Sequence, residues 1–257
     1  MALLDIEALS KAFGGVRAIA DLGFVVEENQ VYSVIGPNGA GKTTLFNLFS
    51  GIYQADTGQI YFLGQEITGH KPCRVAAMGI SRTFQNLQIF FNMSALDNVM
   101  VGCHLRTHSR LWHAALRLPA VVREERQAEA WARQALQFCG LDKVAGMQAS
   151  ALPYGLLKRL EIARALATRP RLLMMDEPAA GLNDTETAQM CVLIRRICDA
   201  GTTVLLVEHN MGLVMQVSDR VMVLNFGKRL AEGTPQQVQQ DADVIKAYLG
   251  GGEADGH

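Results

Sequence analysis

The sequence predicts an α/β fold in which an antiparallel β segment precedes a parallel core and a helical lobe is inserted into that core. Three observations predict it. Short apolar runs that end in turns open the chain, further apolar runs alternate with helical patterns in its second half, and strand signals are missing between about residues 92 and 168. With 257 residues, the chain is long enough for one such domain with a full core.

The N-terminal residues read as three short strands, Leu3–Leu9, Ala18–Val26 and Val31–Ile35. They are separated by Gly14-Gly15 and by a polar corner at 27–30. Glycine and polar residues at such corners favour tight turns. The chain is therefore predicted to begin with antiparallel strands.

The predicted core, about 1–91 and 169–232, has its later strands at Arg171–Asp176, Thr202–Val207 and Arg220–Leu224. These runs are continuously apolar and spaced by helical patterns, which is typical of a buried parallel sheet. The remaining residues are predicted to be a helical lobe at about 92–168 and a helical tail at about 233–257 that ends in a glycine-rich stretch.

Composition excludes several classes of protein. Apolar residues make up 49% of the chain, which is too many for a disordered protein, and the net charge of -1 lacks the basic excess expected for nucleic-acid binding. No apolar run is long enough to span a bilayer, and the acidic N-terminus does not resemble a signal peptide. Five cysteines without a CxxC pair favour a reducing compartment over a disulfide framework.

A glycine-rich loop follows the strand Val31–Ile35, and it matches the pattern G-x-x-x-x-G-K-[ST]. Its glycines free backbone N–H groups for a phosphate, Lys42 supplies a charge, and Thr43 offers a hydroxyl to Mg²⁺. The alternative is an ordinary glycine turn with a surface lysine. The residues expected to contact a nucleotide here are Gly36, Pro37, Asn38, Gly39, Ala40, Gly41, Lys42, Thr43 and Thr44.

Two carboxylates, Asp176 and Glu177, end the apolar strand that begins at Arg171. Open α/β sheets hold ligands at the carboxyl ends of their strands. One carboxylate can hold Mg²⁺ and the other can activate a water molecule. Many buried strands end in this way only to begin a helix, so the phosphate loop is what favours the catalytic interpretation.

The segment Leu152–Arg159 resembles the signature sequence of ABC-transporter ATPases. The resemblance covers essentially the whole chain, 1–257, and implies one P-loop NTPase domain with a RecA-like core, an N-terminal antiparallel β subdomain and an inserted helical subdomain. It implies binding and hydrolysis of ATP with Mg²⁺, and catalytic roles for Lys42, Glu177 and His209.

The same resemblance assigns the remaining site residues. Phe13 is implied to stack on adenine, and Thr43, Gln85 and Asp176 to hold Mg²⁺. The signature residues that face the partner's ATP are Pro153, Tyr154 and Gly155.

Each single residue also has a plainer interpretation. Phe13 can be a core residue at a strand edge, Gln85 a surface polar residue, and His209 only the cap of the next helix. One group of cysteine and histidine residues matches no closed zinc pattern, so no metal other than Mg²⁺ is predicted. The group consists of Cys103, His104, His108 and His113.

A narrower resemblance is to the longer ATPase of branched-chain amino acid importers. It rests on Arg82–Asn86, Glu177–Asn183, Val207–Met211 and the stretch 223–235, and on the insertion Cys103–Glu129. It implies a second ABC ATPase subunit as partner in a heterodimer, a homodimer being the alternative for the isolated chain. It also implies two permease subunits, a solute-binding protein reached indirectly, and a peripheral place on the cytoplasmic face of the inner membrane, with a soluble chain when expressed alone.

Other functions stay open at this point. Related cassettes serve importers of urea, amides or aromatic acids. A soluble ABC-type ATPase acting on DNA or ribosomes would need two cassettes, a long coiled coil or a basic face, and none of these is visible in the sequence. A nucleotide-binding regulator without turnover is a third alternative.

The signature itself departs from the family pattern at two positions. Pro153 stands where the family usually has a small hydroxyl residue, and Leu156 stands where it has glutamine. Proline offers neither a hydroxyl nor an N–H group to a phosphate. Pro153 and Leu156 are therefore the two residues that put the function of the signature in question.

Overall fold

The computed structural model of the chain describes residues 1–106 and 119–249. These residues form two units: unit 1 comprises Met1–Ile80 and Arg171–His257, and unit 2 comprises Ser81–Pro170. Part of the insertion predicted at Cys103–Glu129, residues 107–118, and the glycine-rich tail 250–257 lie outside the described residues.

In chain order the strands are β1 (Ala2–Phe13), β2 (Val16–Glu27), β3 (Val31–Ile35), β4 (Thr57–Phe62), β5 (Gln65–Glu66), β6 (Ile80–Arg82), β7 (Leu172–Asp176), β8 (Thr203–Val207), β9 (Arg220–Asn225) and β10 (Lys228–Gly233). The helices are α1 (Lys42–Phe49), α2 (Pro72–Ala77), α3 (Ala95–Gly102), α4 (Pro119–Phe138), α5 (Tyr154–Ala167), α6 (Asp184–Asp199), α7 (Met211–Val217), α8 (Pro235–Gln240) and α9 (Ala242–Leu249).

The N-terminal strands form a four-stranded antiparallel sheet in the order β2-β1-β4-β5. The predicted antiparallel start is confirmed, although β1 and β2 are each longer than predicted and β1 carries register shifts. From Ala20 onward the side chains of β2 largely alternate between buried and more exposed, as expected for a sheet with one face on the core, whereas the register shifts of β1 interrupt this alternation.

The second sheet has six strands in the order β10-β9-β3-β8-β7-β6. Strand β3 pairs in parallel with β8 and β9, and β7 pairs in parallel with β8. Every residue of β3, β7 and β8 is buried, which confirms the parallel core predicted from their apolar runs. The register Asp176 to Val207 brings the carboxyl ends of β7 and β8 to the same point.

The core of unit 1 lies between the two sheets and includes the first helix. Leu45, Phe46 and Phe49 of α1 are buried in one cluster with side chains of both sheets. The ring of Phe24 lies 6.1 Å from that of Phe49, edge to face, and stacks on Tyr32 at 5.4 Å. Because α1 is anchored by this packing, the loop that precedes it is anchored as well. The predicted helical tail contains two short helices, α8 and α9.

Unit 2 is mostly helical, as predicted, but it begins before the predicted boundary at 92. Its first residues are held by backbone hydrogen bonds: the Ala149 N–H donates to the Met93 carbonyl at 2.9 Å, and the Ser150 N–H donates to the Phe91 carbonyl at 3.1 Å. The side chain of Asn98, fully buried, bonds both backbone groups of Phe90. These contacts are not local in sequence, so helical periodicity could not reveal them.

Candidate phosphate-binding site

The glycine loop connects β3 to α1, and its end glycines are required by close packing. A Cβ atom at Gly36, whose φ is +153°, would lie 2.1 Å from the carbonyl oxygen of Leu224. A Cβ atom at Gly41, whose φ is +108°, would lie 2.4 Å from the carbonyl oxygen of Ala18. No side chain fits at either position. The plainer interpretation as an ordinary turn does not explain this packing against β2 and β9.

Lys42 is the first residue of α1, and its side chain turns back over the loop. Its Nζ donates to the carbonyl oxygens of Gly36 at 2.6 Å and Pro37 at 3.0 Å. Burial lowers the pKa of Lys42, while the carboxylates of Glu177 and Asp176 act in the opposite direction. The lysine is therefore buried rather than a surface residue, and it lies in the field of the strand-end carboxylates.

The other loop residues differ in exposure. Asn38 and Gly39 are exposed at the tip, Ala40 is buried, and Pro37 is half-buried. Thr43 is exposed and Thr44 is half-buried in the first turn of α1. The Thr43 hydroxyl is thus accessible where the loop meets the helix.

Asp176 and Glu177 lie at the carboxyl end of β7, where parallel sheets place ligands. Asp176 is buried, and the Glu177 side chain is about one-fifth exposed. Glu177 adopts a left-handed backbone with φ of +49°, and its N–H donates to the Val207 carbonyl at 2.9 Å. Such a conformation is uncommon for a non-glycine residue, and strain of this kind concentrates at functional sites.

His209 follows β8, and the structure brings it to Glu177. Its Nδ1 lies 3.5 Å from Glu177 Oε1, and its side chain is largely exposed. The plainer interpretation of His209 as a helix cap is wrong, because the side chain of Asn210 caps α7 by accepting from the Leu213 N–H. The adjacency of His209 and Glu177 follows from the parallel pairing of β7 with β8.

Phe13 ends β1 and keeps 44% of its surface exposed. Its ring packs edge to face against Tyr53 at 5.2 Å, and the Lys11 ammonium lies 5.4 Å from the ring centroid. The interpretation of Phe13 as a core residue is therefore wrong. Its ring is accessible for stacking.

Gln85 lies in unit 2 and is exposed. Its backbone is tied to α5: Lys158 Nζ donates to the Gln85 carbonyl at 3.2 Å, and Glu161 Oε1 accepts from the Phe84 N–H at 3.2 Å. Lys158 and Glu161 are both buried, and burial raises the pKa of Glu161. Two buried charged groups on α5 thus hold the segment that carries Gln85.

Pro153 is the N-cap residue of α5, directly before the first helical residue, Tyr154. Its carbonyl accepts from the N–H groups of Leu156 at 3.0 Å and Leu157 at 3.1 Å, but it provides no side-chain cap. Tyr154 is 44% exposed and Gly155 is buried. A serine at this position would supply the missing hydroxyl at the helix start.

Unit 1 therefore holds Lys42, Asp176, Glu177 and His209, while unit 2 holds Gln85 and the signature residues Pro153, Tyr154 and Gly155. Two neighbours of these residues, Tyr53 and Glu208, have no role predicted from the sequence: Tyr53 lies outside the predicted motifs, and Glu208 lies within Val207–Met211 without an assigned role. In the sequence, Tyr53 is noticeable only as an aromatic residue shortly after a glycine. Glu208 is noticeable only as a charged residue at the end of an apolar run.

Metal-ligand candidates are limited in the part of the chain that is described. Within residues 1–106 and 119–249, no three His, Cys, Asp or Glu side chains cluster as a metal site. His108 and His113 of the Cys–His group lie outside the described residues. The oxygen donors Thr43 and Asp176 are of the type that Mg²⁺ prefers. Among the described helices, none combines the length and the apolar character needed to cross a membrane.

A glycine loop between a buried strand and a helix, with two carboxylates at the end of another buried strand of the same sheet, defines a phosphate-binding ATPase of the α/β class. Comparison with known proteins identifies the family. Residues 19–180 match the family described as "ABC transporter", and residues 228–254 match "Branched-chain amino acid ATP-binding cassette transporter". The chain belongs to the ABC transporter ATP-binding family and is an ATPase of that family.

Two curated relatives align over nearly their whole length. The "High-affinity branched-chain amino acid transport ATP-binding protein" BraF of Pseudomonas aeruginosa is 45% identical, over 96% of this chain and 98% of that protein. LivG of Escherichia coli K12, described in the same words, is 42% identical over 96% of this chain and 98% of that protein.

Solved structures confirm the predicted fold of an ABC ATPase. A nucleotide-free ATP-binding cassette from an ABC transporter has a TM-score of 0.84 and 31% identity, over 96% of this chain and 99% of that chain. A cassette in its ADP conformation has a TM-score of 0.85 and 31% identity, over 97% of this chain and 99% of that chain.

Proposed function

We propose that this chain is the ATP-hydrolysing subunit of an importer for branched-chain or other hydrophobic amino acids. The observation that carries the ATPase role is the position of Glu177 and His209, 3.5 Å apart at the strand ends, beside the loop that holds Lys42. The names of the relatives support the solute class. They do not support importers of urea, amides or aromatic acids.

Hydrolysis transfers the γ-phosphoryl group of ATP to water. The water oxygen forms the new bond to phosphorus, the bond to the bridging oxygen of ADP breaks, and Glu177 takes the proton from the water. Lys42 and the loop N–H groups bind the phosphates, and His209 donates to the γ-phosphate. Phe13 stacks on the adenine, supported at its edge by Tyr53.

Mg²⁺ fits the oxygen donors of this chain. The Thr43 hydroxyl and the Asp176 carboxylate, both in unit 1, are hard oxygen donors that would hold the ion, and the Gln85 amide oxygen is the third donor that the family resemblance implies. When bound, the ion supplies positive charge to the phosphate oxygens.

The proposed partners follow from the importer assignment. They are a second ABC ATPase subunit in a heterodimer, two permease subunits and, indirectly, a solute-binding protein. In this assembly the chain lies on the cytoplasmic face of the inner membrane. The test is to purify the complex with its membrane subunits, reconstitute it in vesicles with its binding protein, and measure uptake of labelled leucine, isoleucine and valine.

Uptake of urea, an amide or an aromatic acid, with no uptake of the branched-chain amino acids, would contradict the solute class and leave the ATPase role intact. Uptake without any ATP turnover would contradict the ATPase role. A chain that binds nucleotide but supports neither activity would be a regulator.

An exposed apolar surface on unit 2 is the proposed docking site for a permease helix. Phe90 and Phe91 are 45% and 47% exposed, and the guanidinium of Arg164 lies 5.7 Å from the Phe90 ring centroid. Their neighbour Ile89 is buried, so core packing explains Ile89 but neither of the two phenylalanines. A helix in an apolar groove is a common mode of recognition.

Replacing Phe90 or Phe91 with serine should weaken co-purification with the membrane subunits and leave ATP binding and the melting temperature nearly unchanged. The physical reason is that an exposed ring contributes little to folding but much to an interface. Ile89→Ala is the matched control, because it creates a cavity and should lower the melting temperature. A comparable loss of melting temperature in the phenylalanine variants would show that these rings are core residues.

A further inference from the structure

Glu208 is a buried carboxylate that the proposed mechanism does not use. It follows the last residue of β8, precedes His209, and is only 1% exposed. Burial of a carboxylate is unfavourable unless hydrogen bonds replace its water. The hydrogen-bond partners of Glu208 therefore indicate its role.

The Glu208 carboxylate accepts three backbone N–H groups. Its Oε1 accepts from Ala179 at 3.0 Å, and its Oε2 accepts from His209 at 3.1 Å and from Asn210 at 3.3 Å. Ala179 lies two residues after Glu177, so one carboxylate joins the loop after β7 to the loop after β8. Hydrogen bonds to a charged acceptor are stronger than those between neutral groups.

Backbone hydrogen bonds also hold the loop after β7. Its start is held by the bond from the Glu177 N–H to the Val207 carbonyl, and it turns through the bond from the Ala180 N–H to the Glu177 carbonyl at 3.1 Å. Glu177 itself has a strained backbone with φ of +49°. A strained conformation persists only where the surrounding structure holds it. Glu208 helps to hold Glu177 because it bonds the backbone of Ala179, two residues after Glu177.

We propose that Glu208 is a positioning residue, which sets His209 and Glu177 at their working separation by bonding both loops through one carboxylate. The proposal rests on the roles proposed for those two residues. Glu208 does not contact the nucleotide in this proposal. It acts through the backbone of Ala179 and His209.

Glu208→Gln tests the proposal in the assembled transporter. Glutamine keeps the size of the side chain but has one oxygen and an NH₂ group, so it cannot accept from both loops. Because a misplacement of about 1 Å at a catalytic group can lower a rate about a hundredfold, we expect kcat to fall by about tenfold or more. The KM for ATP should change little, because Lys42 and the glycine loop are untouched.

Asp219→Asn is the control for loss of a carboxylate that accepts a backbone N–H far from the site, although the Asp219 side chain is more exposed, at 40%. The Asp219 carboxylate accepts from the Val31 N–H at 2.8 Å and pairs with Arg195 at 2.9 Å, at the opposite, amino-terminal end of β3. Both variants are expected to lower the melting temperature, but only Glu208→Gln should lower kcat. If Glu208→Gln folds poorly, Glu208→Asp keeps the charge on a shorter side chain, and its kcat should also fall.

A double-mutant cycle with His209→Ala identifies the route of the effect. If Glu208 acts through His209, then Glu208→Gln should have little further effect on kcat in the His209→Ala background. Full additivity would overturn the route through His209, and a parental kcat in folded Glu208→Gln or Glu208→Asp would overturn the positioning role. A parental kcat in His209→Ala alone would instead overturn the role proposed for His209.

Discussion

Glu177→Gln is expected to lower ATP hydrolysis by the assembled transporter about a hundredfold while MgATP binding is retained. The amide keeps the shape and one hydrogen-bonding oxygen of the carboxylate but cannot take a proton from water, and loss of a general base typically costs that much. The Glu177 carboxylate lies 3.5 Å from His209 at the strand ends beside the phosphate loop. An ATP-trapped dimer should accumulate.

The measurement is ATP turnover together with retention of labelled nucleotide. Glu232→Gln is a control of similar burial, since the Glu232 side chain is 15% exposed against 18% for Glu177 and pairs with Arg220 and Arg229 on the surface of unit 1. It should hydrolyse ATP at the parental rate. Parental hydrolysis by Glu177→Gln would show that Glu177 is not the base.

The second large effect is expected to be an asymmetry between the two ATP sites of the heterodimer. In the family that this chain belongs to, each nucleotide lies between the phosphate loop of one subunit and the signature of the other. In the proposed heterodimer the site with Lys42 would be served by the partner's signature, whereas the partner's site would be served by the signature that begins at Pro153, the N-cap of α5. Lys42→Ala should therefore abolish most turnover.

The size of the asymmetry follows from the missing hydroxyl. A hydrogen bond to a charged oxygen is worth about 1.5 to 3 kcal/mol, which corresponds to tenfold or more between the sites. The N–H groups of Tyr154 and Gly155 at the start of α5 still favour an anion and reduce the difference. The measurement compares turnover after mutation of the phosphate-loop lysine in each subunit separately.

Pro153→Ser is the third variant in this comparison. Serine restores a hydroxyl at the N-cap of α5, so turnover at the partner's site should rise. The variant should also stabilise the helix by about 1 kcal/mol, so turnover is compared at a temperature well below unfolding. Equal losses from the two lysine variants, without a gain from Pro153→Ser, would contradict the asymmetry and leave Pro153 as a tolerated substitution.

Much of the site could be predicted because its signals are local. The glycine loop, Lys42 and Thr43 lie within one short segment, and Asp176 and Glu177 end one apolar run. Their spacing along the chain already specifies a phosphate-binding turn at a helix start and carboxylates at a strand end. Contacts between residues that are distant in the sequence leave no such local signal.

Two examples are the edge contact between Phe13 and Tyr53 and the early start of unit 2 at Ser81.

The sequence by itself determined the types of the elements, the parallel core and the residues of the phosphate loop, because periodicity and glycine placement act over a few residues. Only the tertiary structure explains why Gly36 must be glycine, since the atom that would clash with a Cβ there is the carbonyl oxygen of Leu224, far away in the sequence. It also decided that Asn210 rather than His209 caps α7 and that Glu208 joins two loops. The contact of Glu208 with the loop after β7 depends on the register in which β7 pairs with β8, and that register is set by packing across the whole sheet.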